Sequence, residues 1–285
     1  VAVRGRFDLH THSTVSDGTE PPGAVVRQAA RASLAGLALT DHDSTAGWTA
    51  AVTAAIETGV GLLPGIELST RAGWRSVHML GYLIDPDEPG LVAETERIRT
   101  SRRDRARRIV DSIAADYAIT WDDVVAQTAP GATVGRPHIA DALVALGIEP
   151  DRSAAFAGVL HPRRGYIEPH HAPTPVEGVA LIRAAGGVPV LAHPGATRAD
   201  WVIPEEDVAA LVDAGLFGIE VDHPENTPGG GRVAAGLAAR FGLPITGSSD
   251  YHGAGKPNRI GERTTAPEVV DAIIAQATGT PPILP

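Results

Sequence analysis

The run Phe7-Asp8-Leu9-His10-Thr11-His12 alternates apolar and polar residues and ends on two imidazoles. In an extended strand, residues i and i+2 point to the same face. His10 and His12 can therefore serve one point at the strand's end. The pattern returns near the other terminus, where Leu243-Pro244-Ile245-Thr246 leads into Asp250-Tyr251-His252. Between these ends, Leu37–Thr40, Gly61–Leu68, Ser76–Leu83, Val188–Ala192 and Phe217–Val221 also read as strands, making seven with Phe7–Leu9 and Pro244–Gly247. Ala-rich helical patterns at Pro22–Ser33, Thr45–Thr58, Pro175–Ala185, Pro204–Ala214 and Gly230–Phe241 lie between them. Strands alternating with long helices imply an α/β fold of parallel βαβ units. His42, Glu67, His193 and Asp250 fall at or just past strand ends. Chemistry drawn from so many strand ends suits the rim of a closed or nearly closed barrel; an open doubly wound sheet would offer one crevice.

Between about Leu91 and Pro175 the alternation stops. Leu91–Ala115 reads as one long helix, followed by helical patterns at Trp121–Thr128, Arg136–Leu146 and Arg152–Ala157. The expected organisation is a barrel from residues 1–90 and 176–285, with a helical insertion over 91–175 placed as a cap. The Arg-dense stretch Arg97–Arg108, interleaved with Glu94, Glu96 and Asp104, reads as a solvated helix with paired charges, of which one arginine can turn inward.

The 285 residues, 43% hydrophobic, can bury a sizeable core. There is no Cys, which excludes disulfides, thiolate zinc and thiol nucleophiles. The 11 His and 34 carboxylates leave N/O coordination, suited to Zn, Mn, Fe or Mg. A net charge of −10 argues against a broad basic surface for DNA or long RNA. No apolar stretch approaches the roughly 20 residues that span a bilayer, and Val1–Asp8 lacks a signal peptide's apolar core. The cytoplasm is the expected compartment, with no membrane partner.

Asp8-Leu9-His10-Thr11-His12-Ser13, Ser16-Asp17-Gly18, Leu39-Thr40-Asp41-His42-Asp43, Pro64-Gly65-Ile66-Glu67, Ala192-His193-Pro194 and Ser249-Asp250-Tyr251-His252-Gly253 resemble, in order, the motifs of the PHP (polymerase and histidinol phosphatase) superfamily. The resemblance spans residues 7 to 253 and implies a distorted, TIM-like (β/α)7 barrel holding two to three divalent ions (Mn, Zn or Fe). It implies one ion on His10, His12, Glu67 and Asp250, a second on Asp17, His42 and His252, and a third on His78 and His193 with Glu67 bridging. Asp17, Glu67 and Asp250 are accordingly the expected catalytic carboxylates. Asp41 and Asp43, flanking His42, are expected to orient its ring from behind.

The insertion segment Gly135-Arg136-Pro137-His138-Ile139-Ala140 resembles that of the nucleotide and RNA-end phosphoesterases of the superfamily, in which an insert Arg meets the substrate phosphate. Arg136 and His138, with Arg163 and Arg164 as a second pair, are the candidate substrate residues, since a guanidinium forks onto phosphate oxygens. His223, past another strand end, is a candidate to protonate the leaving alkoxide or to bind substrate. The implied activity is metal-dependent hydrolysis of a small phosphorylated substrate by a metal-bridging hydroxide. That substrate is a nucleoside monophosphate, a 3′,5′-bisphosphate or a short 5′-ended RNA. Alternatives are a histidinol-phosphate phosphatase, an amidohydrolase on the same rim, or a metal-binding module without turnover.

Overall fold

The sheet holds β1 (Phe7–Thr11), β2 (Gly36–Leu39), β3 (Gly61–Ala72), β4 (Arg75–Tyr82), β5 (Val188–Leu191), β6 (Gly218–Asp222) and β7 (Ile245–Gly247), side by side in chain order. This computed structural model describes residues 3–196 and 203–285. All seven expected strands are present, but the sheet is not wholly parallel. β4 runs antiparallel to both β3 and β5. Only Gly73 and Trp74 separate β3 from β4, and a parallel crossover needs a dozen or more residues. The chain therefore turns back as a hairpin.

The barrel nearly closes through the segments that follow β7. The His12 amide donates to the Tyr251 carbonyl (2.8 Å) and the Thr265 amide to the Phe7 carbonyl (2.8 Å). The Asp8 carboxylate accepts from the Ser249 amide (3.0 Å), the Ser249 hydroxyl (2.6 Å) and the Gly261 amide (2.7 Å), which ties the first strand to the end of the last. Burial outweighs these donors and lifts the Asp8 pKa to about 6.

Helices α1 (Pro22–Arg31), α2 (Trp48–Thr58), α3 (Pro89–Ile113), α4 (Trp121–Ala126), α5 (Arg136–Ala145), α6 (Arg152–Ala157), α7 (Pro175–Ala184), α8 (Glu205–Asp213), α9 (Pro228–Phe241) and α10 (Pro267–Gln276) complete the fold. Several begin with Pro in the first turn, where a missing amide hydrogen costs nothing. Residues of α1, α2, α7, α8 and α9 pack on the outside of the sheet in one large apolar cluster. The inside holds Leu9, Ala38, Leu63, Leu80, Tyr82, Val188 and Val190. Helix α10, which the sequence reading did not foresee, adds Val270 and Ile273 to that inner cluster.

Helices α3 to α6 surround an apolar cluster of their own, with Ile109, Ile113, Val124, Ile139, Leu143 and Leu160 at its centre. On α3 the pairs Glu94–Arg97 and Glu96–Arg99 form on the solvent side. Arg102 and Arg105 turn inward and are buried. Among the described residues, no helix is long and apolar enough to cross a membrane.

Candidate metal centre

Glu67 lies at the middle of the site because β3 is long: its first half belongs to the barrel wall and its second half rises above the rim. One carboxylate oxygen, Oε2, faces His10 Nε2 (3.2 Å), His12 Nε2 (3.1 Å) and His42 Nδ1 (3.1 Å). The other, Oε1, faces His78 Nδ1 (2.7 Å) and His193 Nε2 (3.0 Å). Asp250 Oδ1 closes the first group at 3.4 Å from His10 Nε2 and 3.3 Å from His12 Nε2, and these two nitrogens stand 3.0 Å apart. On the far side, Asp17 Oδ1 lies 3.2 Å from His252 Nε2, and Asp17 Oδ2 lies 3.7 Å from His42 Nε2.

These donors fit divalent ions. Tetrahedral bonds of about 2.0–2.1 Å place neighbouring ligand atoms roughly 3.3 Å apart, close to the 3.0–3.4 Å separations among His10, His12, Glu67 and Asp250. The donor types, imidazole and carboxylate, suit Zn, Mn or Fe. His12, Asp17, His42 and His252 form one group that could hold an ion, His10, His12 and Glu67 another, and His42, Glu67 and His78 a third. Asp43, His193 and Asp250 all adopt left-handed backbone (φ 52°, 29° and 52°), uncommon for residues with side chains and characteristic of strained functional positions.

The electrostatics follow from packing carboxylates and imidazoles out of water. Burial works against charge on Glu67, yet His42, His78 and His10 hold its carboxyl well below the usual range. Asp17 is lowered likewise by His252 and His42, against its burial. Burial also opposes a proton on His12, but Asp250 and Glu67 overcome it and raise His12 to about 9. A cation is thus favoured at this point.

Residues 8–120 match the PHP domain family. A 3′,5′-nucleoside bisphosphate phosphatase of Chromobacterium violaceum is 36% identical over 266 residues, covering 92% of this chain and 93% of that protein. The chain belongs to the PHP family. A second PHP relative, a phosphoribosyl 1,2-cyclic phosphate 1,2-diphosphodiesterase of Eggerthella lenta, is 33% identical over 276 residues, 91% of this chain and 99% of its own. The solved structure of a metal-dependent phosphoesterase from Bifidobacterium adolescentis matches with a TM-score of 0.93 at 40% identity over 98% of both chains. This PHP protein is a metal-dependent phosphoesterase, a hydrolase built on the family's nearly closed seven-stranded barrel.

The fixed tautomers in this PHP site come from groups behind the ligands. Ser16 Oγ, itself bonded to Asp41 (2.7 Å), meets His12 Nδ1 at 3.2 Å, which leaves Nε2 for the centre. Asp41 and Asp43 do not bond the His42 ring, contrary to expectation. Asp41 accepts from Ser13 and Ser16, and Asp43 accepts from the Ser69 amide (2.7 Å) and hydroxyl (2.8 Å) and pairs in charge with Arg102 Nε at 3.1 Å. With polar partners this close in sequence and space, both carboxylates fasten loops to the site rather than aim one ring.

The sequence reading missed Glu220 and Lys256. Glu220 is fully buried on β6, where its carboxylate meets His10 Nδ1 (3.1 Å) and accepts from the His193 amide (2.8 Å). A carboxylate inside an apolar strand was the available signal. Lys256, the only lysine, lies between Asp250 and Glu225 (2.9 Å to the latter). His223 Nδ1 accepts from the Glu225 amide (3.1 Å), so a neutral ring carries its hydrogen on Nε2, which faces Asp250 Oδ2 at 3.5 Å.

The insert's candidates are placed differently from one another. Arg136 sits near Arg105, its guanidinium over the Phe156 ring (5.7 Å). His138 is buried at the start of α5, where Nδ1 accepts from the Gly135 amide (3.1 Å). Arg163 and Arg164 are exposed on the 3-10 turn Pro162–Arg164 and share no hydrogen bond or ion pair with the metal-ligand cluster. The inward arginines are Arg102, bonded to Ser69 Oγ (2.7 Å), and Arg105, bonded to His170 Nδ1 (3.0 Å).

Proposed function

We propose that this phosphoesterase removes one phosphate from a nucleotide that carries a second, a nucleoside 3′,5′-bisphosphate being the best fit. The observation that carries this reading is Arg105. It is buried, its Nε has no hydrogen-bond partner, and among the described residues no carboxylate pairs with it. Burial and then the charges of Arg102, Arg136 and Arg71 push its pKa down. A buried guanidinium crowded by like charge is costly unless an anion joins it. Ser69, which holds Arg102, is two residues beyond Glu67 on the same strand face, about 7 Å along. An anion held there lies one sugar's length from a phosphate over the metal ligands. The bisphosphate phosphatase among its relatives supports the same substrate class.

In this reading His10, His12, Glu67 and Asp250 hold one ion, Asp17, His42 and His252 a second, and His78 and His193 with Glu67 a third. Bound Mn, Zn or Fe would lower the pKa of water toward neutrality and neutralise charge on the phosphoryl oxygens. The protein's own residues do the rest. Arg102, Arg105 and Arg136 orient the substrate through its second phosphate. His223, whose Nδ1 accepts from the Glu225 amide, binds the substrate by a hydrogen bond from Nε2–H, and solvent water supplies the proton that the leaving alkoxide takes up. The insert, residues 91–175, caps the barrel formed by 1–90 and 176–285 and limits water around the substrate.

The test compares 3′-phosphoadenosine 5′-phosphate, AMP, a short 5′-phosphorylated RNA and p-nitrophenyl phosphate in wild-type and Arg105→Met enzymes. The bisphosphate is expected to have the highest kcat/KM. The variant is expected to lose roughly 10- to 100-fold on it, the worth of a charged hydrogen bond, and little on p-nitrophenyl phosphate. An equal loss on both substrates would remove Arg105 from second-phosphate recognition.

A further inference from the structure

We infer that Arg152, supplied by the insert, is a positioning residue that fixes Asp17 and so sets the occupancy of the ion position shared by His12, Asp17, His42 and His252. The inference rests on the metal-ligand reading above. Asp17 is the only carboxylate of that group, and it sits in the loop between β1 and α1 rather than on a strand. His10, Glu67 and His78, by contrast, are anchored in β1, β3 and β4. The Asp17 loop therefore depends on tethers. Some are its own, such as the Gly18 amide on the Ser13 carbonyl (3.0 Å) and the Thr19 amide on the His252 carbonyl (3.1 Å).

The remaining tethers come from the insert. The Thr133 amide donates to the Val15 carbonyl (2.9 Å). Arg152 Nη1 donates to the carbonyl of Asp17 itself (3.1 Å). The guanidinium is aimed by a two-pronged bond to Asp141, in which Nε meets Oδ1 and Nη2 meets Oδ2 (2.6 Å). It also lies against Gly255, in the turn that follows His252. A Cβ at Gly255 would stand 2.1 Å from Nη1, so a side chain there would displace the guanidinium. One planar group thus touches the loop carrying Asp17 and the turn behind His252, two ligands whose facing atoms are 3.2 Å apart. Lysine, a point charge without the fork, cannot hold Asp141 and the Asp17 carbonyl in this geometry.

Arg152 also borders a cleft of about 410 Å³, so shortening it widens a surface cleft and opens no cavity in the core. The experiment measures ions bound per chain across a buffered Mn series by elemental analysis, together with the Tm of the metal-stripped protein. The proteins are wild type, Arg152→Met, Arg152→Lys and Asp141→Asn. Arg152→Met is expected to raise the dissociation constant of one ion roughly 10- to 100-fold, as loss of a supporting partner does, with the other ions retained and the stripped protein's Tm unchanged. Arg152→Lys should not rescue it, and Asp141→Asn should give a smaller loss of the same ion. Full occupancy in every variant overturns the inference. So does a parallel weakening of all ions with a fall in the stripped protein's Tm, the mark of a merely structural role. Asp17→Asn separates the two levels: if it keeps every ion, the ligand reading itself fails, whatever Arg152 does.

Discussion

At the scale of single residues, the site depends as much on what stands behind each ligand as on the ligand. His10 presents Nε2 to Glu67 and Asp250 because Nδ1 is taken by Glu220, which also receives the His193 amide. One buried carboxylate thus holds the ring of His10 on β1 and the backbone of His193 just past β5. Burial opposes its charge, yet His10 and His223 bring its pKa down to about 2. Glu220→Gln keeps the shape and removes the charge. It is expected to weaken metal binding or turnover roughly 10- to 100-fold, read by calorimetric Mn titration beside kcat. Unchanged affinity and rate would reduce Glu220 to a space-filling role. The sequence showed the ligands as a pattern of His and carboxylates at strand ends. Glu220 carried a signal, a carboxylate inside an apolar strand, but nothing in the run Gly218–Asp222 tells which alternate residue faces the barrel interior until the register is fixed.

At the scale of elements, the insert meets the barrel through α3, through Thr133 and Arg152 on the Asp17 loop, and through the segment after α6. Arg105 on α3 bonds His170, which lies in the loop between the 3-10 turn Pro162–Arg164 and α7. Tertiary packing covers this imidazole more than that of His171 beside it. Burial, then Arg102 and Arg105, push the His170 pKa well down, so the folded protein keeps this ring neutral. A depressed histidine contributes stability that is fully present above the unfolded value near 6.5 and is lost as pH falls below it. Between pH 7 and pH 5 this group should cost the wild type up to about 2 kcal/mol. His170→Gln, which retains an acceptor for Arg105, should lack that loss. Urea unfolding of both proteins at the two pH values checks it, and identical pH dependence would refute it. The long arginine helix was legible as a helix, but not which arginines point inward. That depends on the roll of α3 against the barrel, which its mixed charge pattern leaves open.

At the scale of the whole molecule, several groups of His, Asp and Glu that could hold ions are drawn from both ends of the chain, and the near closure of the barrel brings those ends together. Ions that bind the folded protein and not the unfolded chain stabilise it by mass action. Chelation should therefore lower the Tm by several degrees, and Mn, Zn or Fe should restore it in step with activity. A Tm indifferent to chelator would mean that the folded state does not bind these ions preferentially. The sequence by itself determined the seven strands, the helical interruption and the nine spaced ligand candidates, because hydrophobic period and residue chemistry are local properties. It did not determine that β4 runs backwards, that α10 joins the inner core, that Glu220 stands behind His10, that Arg105 bonds His170 or that Arg152 bonds the Asp17 carbonyl. Those outcomes depend on loop length, register and burial. Each residue's role is set by neighbours tens to hundreds of positions away, and only the closed barrel and its packed insert bring them within hydrogen-bonding range.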